Sequence, residues 1–355
     1  MISNHLHKIK RTSNYDFLNR SNYLRLDRNE RNFPFSKKII ANLKEKINNY
    51  SLQSYPADKK GLANKIAKYE KVDLKYIEIV PGSDSAIKYI FELFSFKRSG
   101  LSSIFPTYGM IDVYAKIYQS KLIKIKTQSN EKFDFKKYFT KKVGWIYIAN
   151  PNQPDGSIIT KENIIKIIKY ANKKKILVVI DEAYIHFSTH ASLTNYVKKF
   201  NNLVILKTFS KFPGLAGLRI GYLIGNPKFI KLFNTVRPIF DTSSISMLIA
   251  EYFLDNKKIG KNHLKEIKLS KKYMIKECKK RNLKFIKTET NFFYIKIRGY
   301  QLQKIHKKLM QKRILVRSNL IGNFKFINNT IRVTLSSTKY MKKFFKALDT
   351  IKLVS

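Results

Sequence analysis

The chain has 355 residues, enough for two domains with substantial cores, and 44 per cent of them are hydrophobic, which excludes a disordered polymer. Lys and Arg number 71 against 24 Asp and Glu, a formal net charge of +47. One cysteine, Cys278, excludes an internal disulfide framework and suits a reducing compartment.

So high a charge raises nucleic acid or an anionic membrane as partners. The lysines are scattered along the chain, with no zinc-ligand spacing and no helix-turn-helix, so no specific nucleic acid is expected. The excess of Lys, Ile, Asn, Tyr and Phe fits AT-rich coding, which leaves the scarcity of acids unexplained. The field would still draw in phosphorylated or carboxylated substrates. Residues Met1 to Lys10 hold no apolar h-region, and no apolar run approaches the length that spans a bilayer. The chain therefore reads as cytoplasmic, with no membrane span.

Taken in chain order, apolar runs predict strands at Tyr76 to Val80, Ser102 to Phe105, Leu122 to Ile125 and Trp145 to Ile148. Helical spacing follows over Lys161 to Ala171. Further strands are predicted at Ile176 to Ile180, Leu203 to Leu206 and Tyr222 to Ile224. Helices between buried strands imply an α/β fold, a mostly parallel sheet with helices on both faces. From about residue 236 the pattern changes. A lysine-rich helical stretch over Ser246 to Arg281, with Cys278 at an ordinary helical position, leads to strand-like Phe292 to Ile297 and Ile331 to Leu335. That predicts an N-terminal arm (1–44), a large domain (45–235) and a smaller α+β domain (236–355) completed by the arm.

Two segments carry chemistry. Asp181-Glu182-Ala183-Tyr184 follows the strand ending at Ile180, and Ser210-Lys211 follows the one ending at Leu206, with three glycines nearby and Arg219 eight residues past the lysine. A lysine can capture an aldehyde as an imine, a serine and a guanidinium can hold a phosphate, and glycines let the backbone come close. An aspartate can pair with a protonated pyridine nitrogen, and a tyrosine can bond a phenolic oxygen. Together they predict pyridoxal-phosphate chemistry. Lys207 competes as the Schiff-base lysine, but it lies within the strand, so Lys211 is favoured.

At this point the chain resembles a class I/II aminotransferase of fold type I, and within it the histidinol-phosphate aminotransferase branch. The resemblance rests on segments in the family's order. They are Ser54-Tyr55-Pro56 with Gly61-Leu62, Pro81 to Ala86, Phe105 to Met110, Asn150 to Gly156, Asp181 to Tyr184, Ser210 to Arg219, Asn291 to Phe293, Val316 to Ser318 and Ile331 to Thr334. It implies catalytic roles for Lys211, Asp181 and Tyr184. It also implies that Tyr108 stacks on the cofactor ring, that Gly82, Ser83, Asp84, Ser210 and Arg219 surround the phosphate, and that Tyr55 reaches that phosphate from the partner of a homodimer. Arg332 would take the substrate's anionic group, with Arg317 and Asn29 nearby. The implied reaction is a ping-pong transfer of an amino group from glutamate to a small keto or phosphorylated acceptor. A decarboxylase of the threonine-phosphate type, or an aminotransferase of cell-surface polysaccharide synthesis, would use the same residues.

Three positions depart from the family. Gln153 stands where an asparagine bonds the phenolic oxygen, so Asn152 or Gln153 must serve. Pro213 replaces a phenylalanine. Phe33 stands in place of an arm tyrosine and offers no hydroxyl to a substrate phosphate.

Overall fold

The computed structural model describes residues 3–9, 19–56, 59–95, 99–126, 133–139, 142–297, 299–319 and 327–351. Seven strands form the larger sheet: β2 (Ile77–Val80), β3 (Gly100–Phe105), β4 (Leu122–Lys126), β5 (Val143–Ala149), β6 (Leu177–Asp181), β7 (Leu203–Thr208) and β8 (Gly221–Gly225), in the order β2-β8-β7-β6-β5-β3-β4. The run from β7 to β4 is parallel, and β8 is antiparallel to both β7 and β2. Two reversals restore direction, so β2 runs parallel to β7. Leu-Val-Val-Ile-Asp of β6 and Leu-Val-Ile-Leu-Lys-Thr of β7 are buried at every residue, as central strands covered on both faces must be.

Alternation divides these strands between two cores. Ile146, Ile148, Val178, Ile180, Leu203 and Ile205 pack on one face of the sheet. Trp145, Tyr147, Ala149, Val179, Val204 and Leu206 pack on the other. By the same period of two, Asp181 shares a face with Tyr147 and Val179, whereas Lys207 shares the opposite face with Ile205.

The smaller sheet has the order β1-β11-β12-β10-β9. Its strands are β1 (Leu24–Leu26), β9 (Phe285–Ile286), β10 (Phe292–Lys296), β11 (Ile314–Asn319) and β12 (Thr330–Thr334). The N-terminal arm supplies β1, which pairs parallel to β11 in the register Leu24↔Ile314. A separate core containing Phe293, Ile331, Phe344 and Phe345 lies beneath this sheet. Ser246 to Arg281 is not one helix. Asn256 (φ −101°, ψ 57°) separates Ser244–Asp255 from Lys257–Lys280. Asparagine leaves helical geometry readily because its side chain competes for backbone groups, and here Nδ2 bonds the Tyr252 carbonyl.

Candidate active site

The parallel strands end at one edge of the sheet, where open α/β sheets place ligands. Asp181 is the last residue of β6, Ala149 the last of β5, and Thr208 the last of β7. Ser83 opens the helix Ser83–Ser95 three residues after β2. A cavity at this edge is lined by Ser83, Asp84, Tyr108, Tyr147, Gln153, Asp181, Tyr184, Ser210, Lys211 and Arg219, with Ala149, Pro151, Ala183 and Thr208 between them.

Asp181 lies at the buried end. Its Oδ1 accepts the Ala183 N–H at 2.9 Å and its Oδ2 accepts the Tyr147 hydroxyl at 2.8 Å. Burial pushes its carboxyl up to about 6, against these hydrogen bonds, which pull it down. Neither bond comes from a cation. Lys211 faces the same cavity, half-buried, and its Nζ lies 5.7 Å from the centre of the Tyr184 ring. Burial first, then the charge of Arg332, pushes its ammonium down to about 8. An amine so lowered is partly neutral near neutral pH and able to act as a nucleophile.

Another part of the lining is built for an anion. Arg219 adopts φ 49° and donates from Nη1 to Ser210 Oγ at 3.3 Å. Gly82 has φ +84°, and a Cβ there would lie 3.1 Å from Arg219 Nη2, so glycine lets the guanidinium close on the turn. The N–H groups of this turn open the helix Ser83–Ser95, a ready anion site. The Asp84 carboxylate is engaged elsewhere, accepting the hydroxyls of Tyr108 at 3.2 Å and Tyr114 at 3.1 Å. Asp84 thus offers the cavity its backbone and anchors Tyr108 with its side chain. This donor set fits pyridoxal phosphate: a lowered lysine, a buried carboxylate without a cation, and a serine–arginine–glycine cradle.

Tyr184 closes one side. Its hydroxyl accepts from Asn29 Nδ2 at 2.9 Å and donates to Gln153 Oε1 at 2.6 Å. Burial pushes it up to about 12, so it remains a phenol. The choice between Asn152 and Gln153 falls on Gln153. Asn152 lies outside the cavity, with Nδ2 donating to Pro106 O and Asp155 Oδ1 and Oδ1 accepting from Thr107. Its amide is consumed in holding its own loop.

Lys207 is excluded by the sheet's alternation. On the opposite face, its Nζ sits 2.7 Å from Glu70 and 3.4 Å from Glu182. Burial opposes its charge, but Glu182 and Glu70 prevail and raise it. Tyr222 donates to the same Glu70 at 2.7 Å.

The remaining expected residues do not line the cavity. Arg332 in β12 pairs across the strands with Arg317 in β11. Arg332 is buried, donates to the Asp27 carbonyl at 2.8 Å, and its Nε has no hydrogen-bond partner among the described residues. Arg317 is lowered by burial first and then by Arg332. Two facing guanidiniums repel, and an anion between them would relieve the repulsion. Tyr55 is 76 % exposed and stacked on Phe240, outside the cavity of its own chain. Phe33 also lies outside. Its ring packs edge-on against His263 at 5.5 Å and beneath the Arg31 guanidinium at 4.1 Å.

Sequence reading did not identify Tyr147 as a site residue. It sits in an apolar strand run and has the signature of a core aromatic. The position of Asp181 two residues beyond its register partner was the available signal, and it needs the pairing Tyr147↔Val179 to be seen.

A family model described as aminotransferase class I and II matches residues 18–348. A histidinol-phosphate aminotransferase of Caldanaerobacter subterraneus subsp. tengcongensis is 30% identical over 347 residues, 95% of this chain and 96% of the relative. The crystal structure of the histidinol-phosphate aminotransferase from Clostridium acetobutylicum superposes with a TM-score of 0.80 at 24% identity, covering 92% of this chain and 98% of that one. That of the Sinorhizobium meliloti enzyme in complex with pyridoxal-5'-phosphate gives 0.80 at 22% identity, over 92% and 89%.

Proposed function

Because the chain belongs to aminotransferase class I and II, we infer from the cavity's geometry how its residues divide the work of amino transfer. The protein is an aminotransferase that uses pyridoxal phosphate. Bound in this cavity, the cofactor supplies an aldehyde that condenses with amines and a ring that accepts electrons. Lys211 is the amine that holds it and the base placed to move a proton at the substrate's α-carbon. Asp181 keeps a positive charge at the ring nitrogen. Tyr184, fixed between Asn29 and Gln153, bonds the phenolic oxygen. Ser210, Arg219 and the N–H groups of Gly82 to Asp84 hold the phosphate, and Tyr108 covers the ring. The observation that carries this reading is that Lys211, Asp181, Ser210 and Arg219 line one cavity.

The amino donor and acceptor are inferred as glutamate and the keto partner of histidinol phosphate, exchanged in ping-pong order. The names of the curated relatives support this, and so does the Arg332–Arg317 pair, a seat for a substrate phosphate. Losing a hydrogen bond to a charged group costs roughly 1.5–3 kcal/mol, about tenfold to a hundredfold in binding. Arg332→Ala should therefore lower kcat/KM for histidinol phosphate by about that factor, and leave unphosphorylated histidinol nearly unchanged. An equal loss on both, or no turnover of histidinol phosphate by the wild type, would reject the substrate.

The assembly is inferred to be a homodimer. Tyr55, Ile239 and Tyr50 are each at least 70 % exposed, an apolar surface that a partner would cover. The chain is taken as arm (1–44), large domain (45–235) and small domain (236–355). The two sheets and the β1–β11 pairing support this division. Among the described residues no helix is long and apolar enough to cross a membrane.

A further inference from the structure

We propose that Tyr147 is a positioning residue for amino transfer: its hydroxyl holds the Asp181 carboxylate ionised and aimed into the cavity that receives the cofactor ring. The inference rests on the assignment of Asp181 to the ring nitrogen made above.

Tyr147 is fully buried, in the middle of β5. The register pairs it with Val179 and pairs Ala149 with Asp181, so it is the diagonal neighbour of Asp181 on the same face. A diagonal separation is within reach of an aromatic side chain. The tyrosine hydroxyl closes it, 2.8 Å from Oδ2. An aliphatic residue at this position would fill the core equally well but could not reach.

Both bonds to Asp181 are donated to it, from Tyr147 and from the Ala183 N–H. They stabilise the carboxylate and not the carboxylic acid. The charges around Asp181 make this necessary. Asp84 and Glu182 disfavour a further negative charge, and burial disfavours it most. Tyr108 and Tyr184 are neutral phenols, and Lys211 and Arg219 are the cations that share the cavity. Of the interactions that lower the Asp181 carboxyl, the Tyr147 hydrogen bond is the largest. Burial also lifts the Tyr147 phenol well above its ordinary value, so it stays a donor over the working pH range.

The test uses the full chain carrying Lys211→Ala, so that neither covalent capture nor the titration of that amine contributes. The affinity for pyridoxal phosphate is measured from about pH 5 to 9, with Tyr147, with Tyr147→Phe and with Asp181→Asn. With Tyr147 intact, affinity should fall below about pH 6 as Asp181 takes up a proton. With Tyr147→Phe the fall should set in about one unit higher, leaving binding about twofold weaker at the new midpoint, approaching tenfold weaker near pH 5, and recovering at high pH. The infrared carbonyl stretch of protonated Asp181, assigned by its loss in Asp181→Asn, should move with the same midpoint. An unshifted midpoint, or a loss that is the same at every pH, would assign Tyr147 to packing alone and overturn the proposal. The cofactor's phosphate itself titrates at about pH 6, so the Asp181→Asn profile is the baseline. If the profile with Asp181 coincides with it, Asp181 is not the titrating group, and the ring-nitrogen assignment falls with the inference. If the two profiles differ and Tyr147→Phe does not shift the fall, only the inference fails.

Discussion

Lys211 Nζ donates a hydrogen bond of 3.2 Å to the backbone carbonyl of Arg28, a residue of the N-terminal arm. The arm is thus wired into the site at consecutive residues. The Asp27 carbonyl accepts from Arg332, the Arg28 carbonyl accepts from Lys211, and Asn29 donates to Tyr184. Asn291 Nδ2 donates to the Asn29 carbonyl and the Asn29 N–H donates to Thr334, which fixes this segment against the small sheet. The small sheet therefore bears on the chemistry through the arm.

Asn29 has φ 56°, a left-handed geometry that asparagine tolerates and alanine does not. Asn29→Gly should keep the backbone and lose the bond to Tyr184 together with the longer one, 3.3 Å, that Oδ1 accepts from the Thr334 hydroxyl. Its turnover should fall about tenfold, the worth of one hydrogen bond of about 1.4 kcal/mol. Asn29→Ala should show the same loss of turnover and a further loss of about 1 kcal/mol in stability. Steady-state kinetics and thermal melts of the two variants separate these effects.

Lys207 should matter for folding and not for cofactor capture. It neutralises Glu70 and Glu182 in the core. Lys207→Met would leave two buried carboxylates without their cation, a loss of about 3–5 kcal/mol. Urea denaturation of the wild type and the variant measures it. A loss under about 1 kcal/mol would mean that the triad contributes little.

Asp181 should be a burden on the chain when no cofactor is bound. Its folded value of about 6 exceeds the ordinary 3.8, so the folded state binds the proton more tightly. Stability then falls as pH rises from about 4 to 6 and stays low above, a cost of roughly 3 kcal/mol at neutral pH. Asp181→Asn should raise the melting temperature of the cofactor-free chain near pH 8, while abolishing most turnover. Melts at about pH 5 should show roughly half of that difference, and melts near pH 3 almost none.

The chain's division into strands was legible because long runs such as Ile176 to Ile180 and Leu203 to Leu206 are apolar throughout, and Lys211 and Asp181 stand at their ends. What was not legible depends on where distant residues meet. Tyr147 acts through a strand-to-strand diagonal, and Lys207 through Glu70, 137 residues away. The preference for Gln153 over Asn152 turns on which amide the loop consumes. Phe33 was read from its alignment with an arm tyrosine, and its packing against His263 could not be seen from that. The break at Asn256 was hidden because helical spacing continues on both sides of it, although the lysines lie only beyond it.

Shared sites should show in hybrids. Mixing an inactive Lys211→Ala chain with a Tyr55→Ala chain, itself severely impaired, should restore part of the activity, because one of the two sites in each mixed dimer would be intact. Tyr55 and Ile239, 76 % and 78 % exposed in the single chain, should become protected in hydrogen–deuterium exchange or footprinting on assembly. A fully active monomer in sedimentation would contradict this arrangement.

The most direct test of the account is where the cofactor is attached. Holoenzyme is reduced with borohydride at about pH 8, then digested and mapped. The account predicts a phosphopyridoxyl group on Lys211 and none on Lys207, which Glu70 and Glu182 hold as an ammonium. A label on Lys207, or no label on either lysine, would contradict it.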